Sequence, residues 1–155
     1  MKKNRTMQYT LAALLCIFID RITKYIVMYK INYYRINFFT TIDLVFNRGI
    51  SFGLFHSDSI NTFAIINVVI ACVIMALFFH GAVKIKEEKS ITGETLIFAG
   101  ALSNVADRYL YGGVVDFIAC AYQGWYFPVF NGADIFIVVG VFIMLFSEYK
   151  ASWKK

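Results

Sequence analysis

Two aspartates in one mainly apolar stretch of the chain are the strongest candidates for chemistry. The stretch runs from Leu96 to Val138, and it holds Asp116 in the segment VVDFI and Asp134 in the segment FNGAD. Ionisable side chains beside apolar runs of this length are costly to bury and are therefore usually functional. Two carboxyl groups about 3 Å apart cannot both ionise, so they share one proton. The ionised member can activate water against an amide carbonyl while the protonated member hydrogen-bonds the carbonyl oxygen, which is aspartic-peptidase chemistry.

A purely structural role explains the same residues. Asn131 lies three residues before Asp134 at a predicted helix start, where Asn caps the first turn and an acid is favourable. Asp116 could cap a turn in a loop. Nothing in the sequence spacing requires the two aspartates to meet, so both interpretations stay open at the level of single residues.

The composition is that of a helical integral membrane protein. Of the 155 residues, 59% are hydrophobic and 16% are charged, whereas soluble domains carry about 25% charged residues. The net charge of +5 would suit a nucleic-acid partner. The basic residues, however, lie between apolar runs and form no basic face with interleaved aromatics, so we expect no nucleic-acid binding. The three cysteines are widely spaced, which indicates neither a disulfide framework nor a metal site.

Four apolar segments are long enough to cross a hydrocarbon core about 30 Å thick as helices. The sequence predicts one domain over 1–155, with spans at about residues 9–29, 60–83, 93–110 and 131–149.

The segments between the spans are predicted to differ from one another. Residues 30–59 alternate loosely and contain turn residues, which predicts a small β-rich outer layer, with an ordinary hairpin loop as the alternative. Residues 111–130 are predicted to be a loop with interfacial aromatics. The basic chain start also fits a cleaved signal peptide, but Leu15 precedes Cys16 where a cleavage site requires small residues, so we expect a retained span.

Basic residues predict the orientation in the membrane. Nine of them lie at one set of predicted span ends and four at the other, and positive charge marks the cytoplasmic side. Both termini and the connector 84–92 are therefore predicted to be cytoplasmic. Asp116 and Asp134 are then predicted at the outer face.

Within the spans, two charge pairs are predicted. Asp20 and Lys24 are four residues apart in the first span, so they share a helix face and are expected to pair. Asp107 is next to Arg108, and we expect these two to pair locally.

Other hydrolytic chemistries lack their residues. The histidines are His56 and His80, which the predicted topology puts on opposite sides of the membrane, and no GxSxG segment is present. No HExxH segment is present either, and we expect no metal and no cofactor.

Five short motifs follow one another along the chain: DRITK at 20–24, NRGISFG at 47–53, AGALSNVADR at 99–108, VVDFI at 114–118 and FNGAD at 130–134. Their set and order resemble those of the type II, or lipoprotein, signal peptidases of bacteria, almost from end to end of the chain. The resemblance implies an all-α membrane protein with four transmembrane helices and a small β-rich extracytoplasmic cradle. It also implies an aspartic endopeptidase of the cytoplasmic membrane, which cleaves prolipoproteins just before a cysteine that carries a diacylglyceryl group.

The resemblance also assigns roles to residues. It implies that Asp116 and Asp134 are the catalytic pair. Other positions match residues characteristic of the family and are expected to tie helices together, position the backbone or contact substrate: Asp20, Lys24, Asn47, Gly49, Gly100, Asn104, Arg108 and Asn131. The expected partners are prolipoprotein substrates and membrane lipids, and we expect a monomer.

The chain departs from the family at four positions. The family usually has Gln at the position of Arg21, Ala-Ala at Ile50 and Ser51, and Gly at Ser103. None of these changes removes a carboxylate, but Ile50 is bulkier near the proposed site, so substrate fit or inhibitor sensitivity could differ.

Two other classes of function compete with this interpretation. A small proton-coupled transporter or channel would also carry membrane carboxylates, but it needs them spread across the depth, whereas here they gather at one face apart from Asp20. A structural subunit of a larger membrane complex would leave the polar cluster unexplained.

Overall fold

A computed structural model describes residues 2–49 and 59–153, with side chains from residue 4 onward. The described chain contains four helices and four strands. Their order is α1 (Lys2–Lys30), β1 (Tyr33–Arg35), β2 (Thr40–Asn47), α2 (Ile60–Lys86), α3 (Thr92–Tyr111), β3 (Val114–Tyr122), β4 (Trp125–Tyr126) and α4 (Gly132–Ser152). The departures at Ile50 and Ser51, and His56, lie outside the described residues.

The four predicted spans all correspond to helices, with shifted ends. Helix α1 begins seven residues before the predicted span at residue 9, and α4 begins after Asn131, which is its N-cap. Among the described residues, α2 and α4 are the two helices long and apolar enough to cross a membrane. Helices α1 and α3 carry more charged residues along their length, among them Asp20, Lys24 and Asp107.

Helix α3 lies at the centre of the molecule and packs against α1, α2 and α4. Small residues allow α3 and α4 to approach closely. A Cβ atom added at Gly140 would lie 2.7 Å from the backbone oxygen of Gly93, and one added at Gly100 would collide with the backbone oxygen of Ala133. This contact fixes the start of α4, where Asp134 stands, against the middle of α3.

The strands form one antiparallel sheet in the order β1-β2-β3-β4. The β-rich layer predicted for residues 30–59 is confirmed for the part that the structure describes, in β1 and β2. Strand β2 pairs with β3 so that Val45 stands opposite Asp116 and Asn47 opposite Val114, with an irregularity between Ile42 and Val45.

The predicted loop over residues 111–130 is wrong. Most of it is strand β3 and its short partner β4, joined by a turn at Gln123 and Gly124, both of which have positive φ. The β-branched and aromatic residues of the segment VVDFIACAY favour a strand. Asp116 therefore sits inside a paired strand and does not cap a turn.

Candidate active site

Asp116 lies near the start of β3, where two asparagines hold its carboxylate. Asn47, at the end of the neighbouring strand β2, donates from Nδ2 to Asp116 Oδ2 at 2.9 Å. Asn131 donates from Nδ2 to Asp116 Oδ1 at 2.6 Å. The residue is 2% exposed, so its carboxylate depends on these amides in place of water.

Asp134 lies in the first turn of α4 and forms a capping box with Asn131. The Asn131 side chain accepts from the Asp134 backbone N–H at 3.0 Å, and the Asp134 carboxylate accepts from the Asn131 backbone N–H at 3.1 Å. The predicted cap is thus confirmed. The second oxygen, Oδ1, accepts from Asn104 Nδ2 at 2.9 Å. Capping occupies only part of the carboxylate, and its other oxygen joins the polar cluster of α3.

One asparagine connects the two aspartates. Asn131 is fully buried; its side-chain oxygen caps Asp134, and its Nδ2 donates both to Asp116 and to Asn104 Oδ1, the latter at 3.1 Å. The fold therefore gathers Asp116 and Asp134 around the same side chain, although 18 positions separate them in the sequence.

Asp116 has a strongly perturbed acidity. Burial raises the pKa of Asp116 to about 7, and the nearby charge of Asp134 acts in the same direction, while the hydrogen bonds from Asn47 and Asn131 oppose them. A carboxyl group that stays protonated up to neutral pH can donate a hydrogen bond. Asp134 stands at a helix N-terminus and accepts two N–H bonds, and both features favour its ionised form.

Behind Asp134 lies a buried network of ionised side chains from α1 and α3. The predicted pair is confirmed, with Lys24 Nζ 2.7 Å from Asp20 Oδ2. Lys24 Nζ also lies 2.7 Å from Asp107 Oδ2 and donates to Asn104 Oδ1 at 2.8 Å. Asp20 reaches α4 as well, because its Oδ1 accepts from the Ala133 backbone N–H at 2.8 Å. The network therefore ties α1, α3 and the start of α4 together at the site.

The predicted local pair of Asp107 and Arg108 is wrong. Asp107 contacts Lys24 and Arg21 and accepts from the Val115 backbone N–H at 3.2 Å. Asp107 thus faces α1 and β3, whereas the guanidinium of Arg108 faces the segment after β2.

Arg108 instead donates to the backbone oxygen of Gly49, while the Gly49 N–H donates to Asn47 Oδ1 at 2.8 Å. Through these contacts the end of α3 holds the segment after β2 and, with it, the amide that binds Asp116.

A cavity of about 620 Å³ opens beside the two aspartates. Its walls are mostly aliphatic side chains of α2, α3 and α4, and its polar lining is Asn47, Asn104, Arg108, Asp116 and Asp134. An apolar cavity with a few convergent polar groups is the usual form of a ligand site.

Candidate metal ligands among the described residues lie at the other end of the helices. Ligand atoms of His80, Glu94 and Glu148 lie within 4.8 Å of one another. Lys84 Nζ is 2.8 Å from Glu94 and 2.9 Å from Glu148, so an ammonium already supplies the positive charge there. The carboxylates Asp116 and Asp134 are separate from this cluster.

The sequence alone does not identify three residues of the site region as members of the buried network. Ser103 donates to Asp20, Arg21 contacts Asp107, and Asp107 contacts Lys24, which also contacts Asp20. The available signal was their helical spacing, since residues 103 and 107 are four apart and share one face of α3.

Comparison with known proteins places these features in a family. The family model for signal peptidase II matches residues 12–150. A lipoprotein signal peptidase of Wigglesworthia glossinidia brevipalpis is 39% identical over 102 residues, which cover 66% of this chain and 66% of that protein. One of Chlamydia trachomatis serovar D is 42% identical over 102 residues, covering 64% and 59%. The matches thus span about three fifths to two thirds of these relatives' lengths.

A solved structure agrees over nearly the whole chain. A structure described as a bacterial membrane enzyme, determined by the in meso method at 2.3 Å resolution, matches with a TM-score of 0.75 and 30% identity, covering 96% of this chain and 91% of that one. The protein is therefore a mostly helical membrane protein with a small antiparallel sheet. The family match, which extends over 139 of the 155 residues, shows that the chain belongs to the signal peptidase II family.

Proposed function

We propose that the chain is an aspartic endopeptidase that removes signal peptides from diacylglyceryl-modified prolipoproteins, cleaving before the lipidated cysteine. The observation that carries the proposal is the meeting of Asp116 and Asp134 around Asn131, at the wall of an apolar cavity. Relatives bearing the name lipoprotein signal peptidase support the choice of substrate.

In the proposed mechanism the two carboxyl groups have different roles. Asp134, stabilised as an anion by the helix start and Asn104, takes a proton from the attacking water. Asp116 holds its proton near neutral pH and donates a hydrogen bond to the scissile carbonyl oxygen as that oxygen gains charge. After the attack, the proton taken by Asp134 passes to the leaving amine, which restores the starting state.

The cavity suits an apolar, extended substrate. Aliphatic residues of α2, α3 and α4 line it, so the hydrophobic part of a signal peptide or an acyl chain can occupy it without exposure to water. In this arrangement Asn47, Arg108 and the two aspartates mark the end at which the peptide bond is cut.

The proposed location is the bacterial cytoplasmic membrane. All four helices span it, both ends of the chain described here are cytoplasmic, and the site opens at the outer face next to the β-sheet. The distribution of basic residues supports this orientation, and membrane lipids contact the exposed apolar faces of α1, α2 and α4. We propose that the unit is a monomer.

The direct test is cleavage by the purified protein. A precursor modified with diacylglycerol should shift to a smaller product on a gel, whereas the same precursor with Ser in place of the modified Cys should stay intact. Cleavage of both precursors would leave a peptidase without the proposed lipid requirement, and cleavage of neither would reject the proposed function.

Labelling of introduced cysteines tests the topology. Gln123 and Glu88 are both exposed turn residues with positive φ, 49° and 59°, so cysteines there are matched in strain. In a background with Cys16, Cys72 and Cys120 replaced by alanine, an impermeant thiol reagent applied to intact cells should label Gln123→Cys and not Glu88→Cys. The reverse pattern would put both aspartates on the cytoplasmic side.

The acidity of Asp116 predicts a pH profile. Because its pKa is raised to about 7, the protonated form needed for donation is lost as the pH rises through 7, so kcat/KM should fall on the alkaline side with an apparent pKa near that value. Asn47 stabilises the ionised form through its hydrogen bond. Asn47→Ala should therefore move the alkaline limb to higher pH, and a limb that moves to lower pH would contradict the assignment of the proton to Asp116.

A further inference from the structure

Arg21 and Ser103, where the resemblance implies Gln and Gly in the family, contact each other across helices α1 and α3. Arg21 Nε donates to Ser103 Oγ at 3.1 Å, and Ser103 Oγ donates to Asp20 Oδ2 at 2.6 Å. One hydroxyl thus serves as acceptor for the arginine and as donor for the aspartate.

The charges of the buried network formed by Asp20, Lys24 and Asp107 explain why a second cation is favourable beside it. Asp20 and Asp107 are both 0% exposed, and Lys24, at 2%, is the buried cation between them. Its ammonium group has three N–H donors, and all three are engaged, by Asp20, Asp107 and Asn104. Two carboxylates and one ammonium leave a net negative charge, which is costly in a buried setting.

Arg21 supplies the second positive charge. Its Nη2 lies 2.5 Å from Asp107 Oδ1 and 3.5 Å from Asp20 Oδ2. Arg21 therefore binds the Asp107 oxygen that Lys24 does not. Its side chain is 28% exposed, so part of the guanidinium stays hydrated while the fork faces the carboxylates.

The network reaches the proposed catalytic base through one amide. Lys24 holds the oxygen of the Asn104 side chain, which leaves its Nδ2 directed at Asp134 Oδ1. If Lys24 were the sole cation for two carboxylates, it would be drawn toward Asp107 and away from Asn104. Arg21 is thus linked to the amide that holds Asp134 through Asp107 and Lys24.

We propose that Arg21 and Ser103 form a coupled pair that neutralises this buried network and so positions Asn104 against Asp134. The pair rests on the function proposed above, and Arg21 acts through Lys24 and Asn104 as a positioning residue. The resemblance implies Gln and Gly at these two positions in the family, so the pair is proposed as a feature of this chain.

Coupling is tested first by stability, without any assay of activity. Thermal unfolding of the purified full chain should show Arg21→Gln and Ser103→Gly each lowering Tm by about 3 °C or more, since each removes a hydrogen bond in a part-buried network. The double variant, which restores the residues usual in the family, should lose clearly less than the sum of the two. A second cycle uses Ser103→Ala in place of Ser103→Gly, because alanine removes the hydroxyl without the loss of helix stability that glycine causes. Strict additivity of the Tm changes in both cycles would overturn the coupling.

Positioning is tested by the pH profile of precursor cleavage. Arg21→Gln removes one positive charge near Asp116 and Asp134, which favours the protonated forms of both carboxyl groups. Both limbs of kcat/KM should therefore move to higher pH by about half a unit, and kcat should fall about tenfold with KM within about twofold. Arg21→Lys keeps the charge and should restore the profile while leaving part of the loss in Tm, because an ammonium lacks the fork.

Arg35→Gln is the matched control, since Arg35 is an exposed arginine of β1 outside the site. It should change neither Tm nor the profile. A wild-type profile and rate in Arg21→Gln would overturn the positioning role. Failure of the wild-type protein itself to cleave would reject the proposed function and with it the positioning role, while the thermal cycles would still decide whether the two residues are coupled.

Discussion

Asp116→Asn and Asp134→Asn are each expected to reduce precursor cleavage by a factor of about 10³ or more. Asparagine keeps the shape of the side chain but can neither take a proton from water nor hold one for the carbonyl oxygen. Residues that act as a unit are strongly non-additive, so the double variant should be little worse than either single one. The measurement is single-turnover cleavage of the lipid-modified precursor, with helicity followed by circular dichroism.

The controls for this experiment come from the same molecule. Asp43 is an exposed aspartate of strand β2, and Asp43→Asn should leave cleavage unchanged. Asp107→Asn should lower stability more than turnover, because Asp107 binds Lys24 and Arg21 away from the carboxyl pair. Chelators should have no effect on the rate. If Asp134→Asn cleaved the precursor at the wild-type rate, Asp134 would not be catalytic and its role would be limited to the capping box.

The second large effect is expected on stability from Lys24→Met. This change leaves Asp20 and Asp107 fully buried with only the partly exposed Arg21 as a cation. Removal of one partner from a buried ion pair costs about 3–5 kcal/mol, so little folded protein should be recovered at 37 °C. Asp20→Asn alone should cost less, because Asp107 then keeps both cations.

A double-variant cycle distinguishes this pairing from two separate effects. Asp20→Asn combined with Lys24→Met removes a charge of each sign, and we expect it to recover part of the folded yield and Tm lost in Lys24→Met. Lys30→Met, at the exposed end of α1, is the matched control and should be neutral. Additive losses in the cycle would show that Asp20 and Lys24 do not depend on each other.

Much of the frame could be predicted from the sequence because its signals are local. Apolar length gives the helices, and the Asn131 and Asp134 spacing gives the capping box at the start of α4. Strand β3 is hard to recognise in the sequence because its flanking glycines and aromatics also suit a loop. The β-branched residues of Val114–Tyr122 could have identified it.

The contacts between helices could not be predicted in the same way. The sequence shows that Asp20 and Lys24 share a face, but not which residues of α3 lie opposite, since the rotation and depth of one helix against another depend on packing throughout the interface. Asp107 was consequently assigned to its neighbour Arg108 instead of to Lys24. Arg21 and Ser103 could be recognised as departures from the family, but not as partners of each other.

The role of Asn131 has a consequence for how the protein would lose activity on heating. The same side chain caps α4, fixes Asp134 and binds Asp116, so the first turn of the helix and the carboxyl pair form a single cooperative unit. The start of α4 is also held by Asp20 and by the close contact with α3. Opening of this one turn would therefore release all of these contacts together, and we expect activity to be lost in the same step as the packing of α4 on α1 and α3.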